Sequence, residues 1–253
     1  MRSSSHFGIA RNMADPAAPP PLASFGKAAL FLDFDGTLVA LADRPGEISV
    51  SPQLPDLLER LAHRLGGRIA ILTGRALADL DSHLSVAGVA LCGSHGLERG
   101  SPPEPPPGLA DARAALAAFA GVDPGLIVEA KPASVALHYR LAPHRAAESL
   151  ALAHDVALRT GLTVQPGKMV VELRPHGADK GNALTAMMAE PPFAGARPVF
   201  VGDDLTDEAG FRAAAAMGGF GVLVGPARVS AAGYRLPDVD AVHAWLAAAA
   251  RDD

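Results

Sequence analysis

A chain of 253 residues with 49% hydrophobic content is long enough for one large domain, or for a domain that carries a smaller insert. Its formal net charge of −5 gives nucleic acids and anionic membrane surfaces nothing to bind, and no apolar run approaches the roughly 20 residues that span a bilayer. The single cysteine, Cys92, excludes an internal disulfide, and the first residues lack the apolar stretch of a secretory signal. The expectation is a soluble, cytoplasmic protein without nucleic-acid or membrane partners, and a monomer.

Residues 1–24 are polar and then rich in alanine and proline without periodicity, which reads as a disordered lead-in outside the fold. Residues 28–32 form an apolar run expected to be a strand buried on both faces. It ends in Asp33 and Asp35, which alternation sends to one side, followed by Gly36 for a sharp turn and Thr37 with its hydroxyl. Leu54, Leu57, Leu58, Leu61 and Leu65 recur at helical spacing over 52–65. A second buried strand over 69–72 ends in Thr73-Gly74-Arg75, a short helix is expected over 76–84, and a third strand over 89–92 ends in the run from Gly93 to Glu98. Strands alternating with helices, with ligand-type residues at strand ends, predict an α/β fold on a parallel sheet.

The pattern breaks at 101–108, a proline-rich connector. Helices are expected over 109–119 and 144–160, strands over 126–129 and 134–140, and a hairpin pairing 162–165 with 169–173 around Pro166-Gly167. This composition predicts a smaller α+β cap inserted into a Rossmann-like core, with the core at 25–103 and 176–253 and the cap at 104–175. The parallel pattern resumes with a helix from Ala178, strands over 198–201 and 221–224, a helix from Thr206 and a last helix over 239–249.

Phosphoryl transfer needs a nucleophile, an acid for the leaving oxygen, cations to absorb charge and donors for the phosphoryl oxygens. Asp33 and Asp35 offer the first two. Thr73 offers a hydroxyl at a strand end, and Arg75 could add a charge-assisted bond to a phosphoryl oxygen. In Asp179-Lys180-Gly181-Asn182, Asp179 suits a helix N-cap and places Lys180 near the active edge as a fixed cation. Gly202-Asp203-Asp204-Leu205-Thr206-Asp207-Glu208 brings three more carboxylates to that edge, where they would repel Asp33 and Asp35 unless a cation sits among them. Oxygen ligands without histidine or cysteine suit Mg²⁺. Glu208 needs no more than the favour a helix N-terminus shows to an acid.

In their order, these pieces resemble the haloacid-dehalogenase-like phosphatases. The resemblance implies that Asp33 attacks phosphorus to give an aspartyl-phosphate, and that Asp35 protonates the leaving oxygen and then activates water. It implies Mg²⁺ on Asp33, the Asp35 carbonyl and Asp203, with Asp204 and Asp207 as supporting carboxylates behind them. Specificity is expected from the cap, whose strands carry polar residues: Glu129, Lys131, His138, Arg140, Lys168 and Glu172. The stretches Gly93 to Glu98, Lys131 to Arg140, Gly167 to Pro175 and Gly202 to Glu208 are similar to those of the trehalose-6-phosphate phosphatases. That likeness implies sugar contacts from Lys131, Lys168 and Glu172 on the cap and from His95 and Glu98 on the core, with Gly96 and Arg140 completing the substrate-binding set. It implies Mg²⁺-dependent hydrolysis of trehalose 6-phosphate, a small-molecule sugar phosphate. Another capped phosphatase, for sucrose phosphate or mannosylphosphoglycerate, and a phosphosugar mutase remain open alternatives; a catalytically silent sugar-phosphate sensor on the same fold would lack the nucleophile or the lysine, and Asp33, Asp35, Lys180 and Asp203 are all present.

Overall fold

The computed structural model of the chain describes residues 16–42, 47–100 and 103–251. The elements run β1 (Ala28–Leu32), α1 (Leu54–Arg64), β2 (Ile69–Leu72), α2 (Leu77–His83) and β3 (Ala90–Cys92), then α3 (Leu109–Ala120), β4 (Ile127–Ala130), β5 (Val135–His138), α4 (Ala146–Thr160), β6 (Thr163–Gly167) and β7 (Val170–Arg174). They close with α5 (Lys180–Met188), β8 (Arg197–Gly202), α6 (Glu208–Ala216), β9 (Phe220–Val224), β10 (Tyr234–Leu236) and α7 (Val239–Ala250). Six strands form a parallel sheet in the order β10-β9-β8-β1-β2-β3, and four form a separate antiparallel sheet in the order β4-β5-β7-β6.

The parallel sheet is covered on both sides, which is why its strands are continuously apolar. In β1, Leu30 and Leu32 pack with Leu58 and Leu61 of α1 and Val242 and Leu246 of α7, while Ala29 and Phe31 face Leu184 of α5 and Phe211 of α6. The chain leaves β1 towards β2 on one side and returns through α5 to β8 on the other. The carboxyl end of β1 is thus the topological switch point, where open α/β sheets leave a crevice for ligands. Cys92 is fully buried and burial pushes its thiol up to about 11, so it packs as a small apolar group.

The antiparallel sheet has one apolar and one polar face. Val135, Leu137, Val171 and Leu173 point into a core closed by Leu109, Ala112 and Leu116 of α3 and Ala153 and Val156 of α4. The residues between them point the other way, and register sets Glu129, Ala136, Glu172 and Gln165 in a row across the four strands. This polar face is turned to the carboxyl ends of the parallel strands.

The structure departs from the sequence-based expectations in three places. The hairpin turn is at Lys168-Met169, because Gly167 pairs with Val170; Met169 takes a left-handed φ of 63° there, and Pro166-Gly167 belongs to β6. The short strand β10 lacks an apolar run long enough to announce it. Third, of the lead-in expected over 1–24, residues 1–15 lie outside the described residues, but residues 17–22 pack against the core. Pro21 holds an extended conformation (φ −55°, ψ 135°), the Arg235 N–H of the outer strand β10 donates to the Ala17 carbonyl at 3.0 Å, and the Trp245 indole donates to the Pro20 carbonyl at 3.1 Å. Leu22 is 3% exposed within the core cluster under α1 and α7. Residues 17–21 have no periodicity because they are neither helix nor strand, and Leu22 opens a single 3-10 turn, Leu22–Phe25; prolines pre-set the extended path along a sheet edge that would otherwise leave backbone groups unpaired.

If this packing holds, Leu22→Ala should lower the unfolding free energy by about 2–4 kcal/mol in a urea titration. A loss below about 0.5 kcal/mol, the range of ordinary surface substitutions, would detach the segment from the core.

Candidate active site

The floor of the site is built at strand ends. Asp33 follows β1 and is 4% exposed. Its Oδ1 accepts from Lys180 Nζ at 2.6 Å and its Oδ2 from the Thr37 hydroxyl at 3.3 Å. Lys180 is the first residue of α5, whose N-cap Asp179 accepts the Asn182 N–H at 2.8 Å. The same ammonium donates to Asp207 Oδ1, also at 2.6 Å. Burial opposes the charge on Lys180, but Asp207 and Asp33 overcome it and raise its pKa, so it remains an ammonium.

Asp203 leaves β8 and leans against the turn at Gly36, whose φ is +83° and where a Cβ would overlap the Asp203 carboxylate. Gly36 therefore serves twice, as a left-handed turn and as the gap through which Asp203 approaches Asp33. Asp33, Asp203 and Asp207 each offer an oxygen, and these oxygens lie within 4.8 Å of one another. Burial first, and then the charges of Asp207 and Asp204, push Asp203 up to about 7; burial raises Asp33 well above the carboxylate range, with Asp207 and Asp203 adding to it and Lys180 opposing. Both oxygens of Asp207 are engaged, by Lys180 and by the Asp204 N–H at 2.9 Å, whereas Asp203 Oδ1 is buried without a partner among the described residues. A crowded set of hard oxygens with one orphaned lone-pair donor fits a cation such as Mg²⁺.

Asp35 stands on the same side, and Arg75 grips it with both arms: Nε to Oδ2 at 2.7 Å and Nη2 to Oδ1 at 2.8 Å. Arg75 also reaches Asp79 in the first turn of α2 at 2.5 Å. The guanidinium, expected to meet a phosphoryl group, thus positions the second aspartate. Thr73 is fully buried under this floor, its Oγ1 accepting the Arg75 N–H at 3.1 Å. The loop after β3 is strained, with Ser94 and His95 at φ 49° and 56°. That strain aims His95 into the cleft.

The cap supplies the roof. Glu172 Oε1 accepts from Ser134 at 2.5 Å, Oε2 meets His95 Nε2 at 2.9 Å, and Lys131 Nζ lies 3.4 Å from both oxygens. Lys131 crosses to the core as well, donating to the Gly74 carbonyl at 2.8 Å. Burial works against the charge on Glu172, but the Lys131 ammonium and the bonds from His95 and Ser134 hold its carboxyl well below the usual range. Burial pushes the His95 imidazole down; Glu172 pulls it up, and Lys131 and Arg174 push it down further. With the cationic charge already supplied by Lys131, His95 is a neutral ring that donates Nε2–H to Glu172, and its buried Nδ1 has no partner among the described residues. Arg140 donates to the Ala42 carbonyl at 2.9 Å, and the Lys168 N–H to Asp204 Oδ2 at 3.3 Å, so both hold the cap to the core.

The cleft between floor and roof is lined by Asp33, Asp35, Arg75, His95, Lys131, Arg140, Lys168, Glu172, Lys180, Asp203 and Asp204 among others. Thr73, Gly96, Glu98 and Asp207 do not line it. Glu98 corrects the expectation of a sugar contact. The chain doubles back in a Gly93–Glu98 bridge, turning Glu98 inward at 2% exposure, where it accepts Ser94 Oγ and the Leu77 N–H, both at 2.6 Å. Gly96 lies against Ala183 of α5, where a Cβ would sit 2.8 Å from the Ala183 methyl. Three further polar side chains of the cap line the cleft: Glu129 and His138, expected only as part of the cap's polar face, and Gln165, which the sequence did not single out. Glu129 and His138 are paired at 2.8 Å, and Gln165 is held by Arg174 at 2.6 Å. All three share the face of Glu172 by period-two alternation, a signal present in the sequence once the hairpin register is known.

The depressed His95 pKa carries a sign. The unfolded chain takes up the proton first, so this contribution to stability is full above pH about 6.5 and is lost as the pH falls below it. Glu172 is also depressed, but its contribution fades only below the ordinary carboxylate value of about 4.3. The raised Asp33 and Asp203 act in the opposite sense over the same range, in the wild type and in a His95 variant alike, so the contribution of His95 is read as a difference: between pH 7.5 and 5 the urea midpoint of the wild type should lose ground relative to that of His95→Gln. An unchanged difference between the two would remove His95 as its source.

The chain matches the trehalose-phosphatase family model over residues 31–240. It is 42% identical over 231 residues to a probable trehalose-phosphate phosphatase of Sinorhizobium fredii, covering 88% of this chain and 87% of that one. It is 36% identical over 242 residues to the trehalose-6-phosphate phosphatase of Escherichia coli, covering 92% and 90%. A crystal structure of a trehalose-6-phosphate phosphatase related protein superposes with a TM-score of 0.71 at 25% identity, covering 86% of this chain and 94% of that one. With a parallel-sheet core, a small antiparallel cap and a carboxylate–lysine floor between them, the chain belongs to the trehalose-phosphatase family, a family of phosphoric monoester hydrolases.

Proposed function

We propose that the protein hydrolyses trehalose 6-phosphate to trehalose and phosphate through an aspartyl-phosphate on Asp33, with Mg²⁺ as its cofactor. The observation that carries this reading is the pairing of Asp33 with Lys180 at 2.6 Å beneath a roof of fixed donors and acceptors, Lys131, Glu172 and His95. A carboxylate nucleophile splits a hard displacement into two easier ones. Asp33 attacks phosphorus as the bond to the sugar oxygen breaks, and Asp35 gives that oxygen its proton. Asp35 then takes a proton from water as the water oxygen attacks the aspartyl-phosphate, and phosphate leaves with Asp33 restored. Arg75 aims Asp35 through its two-armed grip, and Lys180 balances the charge that gathers on Asp33 and the phosphoryl oxygens.

Asp33, the Asp35 carbonyl and Asp203 are the residues that would hold Mg²⁺, which when bound neutralises charge on the phosphoryl group. The orphaned Asp203 Oδ1 supports this assignment. Lys131, Lys168, Arg140 and Glu172 would bind the sugar hydroxyls and close the cap over the reaction, keeping other water out.

The test is phosphate release from trehalose 6-phosphate, sucrose 6-phosphate, glucose 6-phosphate and mannosylphosphoglycerate, with Mg²⁺ and with a chelator. Release from trehalose 6-phosphate alone, lost on chelation, is the expected result. Release from a different ester alone would overturn the substrate, and conversion without release would favour a mutase. Asp33→Asn should fold and melt as a single unit while turnover drops by at least about 1000-fold. Substantial residual activity would refute Asp33 as nucleophile.

A further inference from the structure

Behind the carboxylate loop stands a cation that the mechanism above does not use. Arg228 lies in the turn after β9, half-buried, twenty-four residues from Asp204 in sequence. Its Nη2 donates to the Asp204 carbonyl at 2.9 Å and makes a longer contact with the Asp203 carbonyl at 3.4 Å. Its Nη1 meets Glu208 Oε1 and donates to its neighbour's carbonyl, Val229 O, at 3.2 Å. The other oxygen of Glu208 accepts the Ala231 N–H at 2.8 Å. Burial opposes the charge on Glu208, but the Ala231 N–H, Ser230 and Arg228 hold its carboxyl below the usual range. Glu208 is thereby more than an acid at a helix start. It is the fixed post to which the Arg228 fork is tied, and the fork grips the backbone of the two residues that carry Asp203 and Asp204.

That grip opposes a specific force. Asp33, Asp203 and Asp207 crowd their oxygens within 4.8 Å, and one ammonium, Lys180, is bonded to two of the three. The uncompensated member is Asp203, the one whose Oδ1 is buried without a partner. Repulsion would swing its loop away from the others. Lys180 bonds Asp33 and Asp207, and the bonds of Asp204 with Asp207, Leu205 and Lys168 hold the residue after Asp203 from the side of the site; the peptide carbonyls of Asp203 and Asp204 are held from behind. Arg228 does this by bonding those carbonyls, which leaves the Asp203 carboxylate unneutralised and pointed at the site.

We propose that Arg228, tied by Glu208, is a positioning residue that pre-organises Asp203 for Mg²⁺, so that the metal affinity of the site depends on a side chain that touches neither metal nor substrate. This rests on the Mg²⁺ reading above. Outer partners of a metal ligand typically change affinity by about 10–100-fold, and an arm that acts on backbone belongs at the low end.

The test uses the full chain with Arg228→Met and Arg228→Lys, titrated with MgCl₂ by calorimetry and melted in a chelator and in saturating Mg²⁺. Arg228→Met should bind Mg²⁺ about tenfold more weakly, with Arg228→Lys between it and the wild type. The rise in melting temperature that Mg²⁺ confers should shrink, and the Mg²⁺ concentration for half-maximal phosphate release should rise by the same factor while turnover recovers at saturation. Arg228→Met with wild-type affinity, or melting temperatures lowered equally with and without Mg²⁺, would overturn the proposal and leave Arg228 a structural side chain. If Arg228→Met does not fold, Glu208→Gln loosens the same post with its volume kept, and an unchanged affinity there overturns the proposal equally. A wild type that takes up no Mg²⁺ would instead overturn the metal reading itself.

Discussion

The bifurcated ion pair of Lys180 with Asp33 and Asp207, at 2.6 Å to each, is the constraint on which the rest of the structure depends. All three groups are almost completely buried, and isolated charges there would be prohibitively costly. The pair survives because one ammonium serves two carboxylates that arrive from β1 and from the turn before α6, while the ammonium itself sits at the start of α5. Three separate segments must therefore be in register for any of them to be satisfied. The close contact at Gly36 and the N-cap at Asp179 read as consequences of this demand. Burial of ion pairs is poor evidence for stability; here it is better understood as the source of a reactive, poorly hydrated carboxylate.

The cap answers a different demand. Its sheet has to bury one face for cohesion, and alternation then hands the opposite face to the cleft at no extra cost in fold. Glu172 sits at the centre of that face and takes all the donors within reach: Lys131, Ser134 and, from the core, His95. One of these contacts, from His95, joins core and cap, and Lys131 adds a second link by bonding the Gly74 carbonyl. The polar groups that would meet sugar hydroxyls are the same ones that draw the cap down. On the proposed reading, a sugar phosphate entering the cleft would exchange hydrogen bonds with this set, which would tie recognition to closure.

Residues whose place in the cleft follows from where a strand ends are legible in the sequence. Asp33, Asp35, Lys180 and Asp203 fall at strand ends or a helix start, and apolar runs mark such points well. What failed was orientation within loops. The family resemblance implies a sugar contact from Glu98, but a six-residue doubling-back turns it inward, and nothing in its neighbours' residue types announces a Gly93–Glu98 bridge. Arg75 shows the same limit: its partner Asp79 stands four residues on, at ordinary helical spacing, yet only geometry reveals that the fork is spent on Asp35. The hairpin was found, but its turn lay two residues later than expected, and that shift hid Gln165, which shares the row of Glu172. The packed segment at 17–22 was invisible for another reason. An extended strap has no period, and its anchors Leu22 and Pro20 find partners such as Trp245 more than two hundred residues away.

Arg228 belongs to this last group, and it shows how the two kinds of residue divide the work. The carboxylates must stay unneutralised to act, so the charge that steadies them has to be applied from where it cannot quench them. Lys180 is placed in front, bonded to Asp33 and Asp207; Arg228 is placed behind, bonded to the peptide carbonyls of Asp203 and Asp204. A cation that reached the Asp203 carboxylate directly would satisfy Oδ1 and spoil the very feature that suits it to a metal. A loop arginine tied to Glu208, and touching Asp203 and Asp204 only through their backbone, imposes the geometry and leaves the charge.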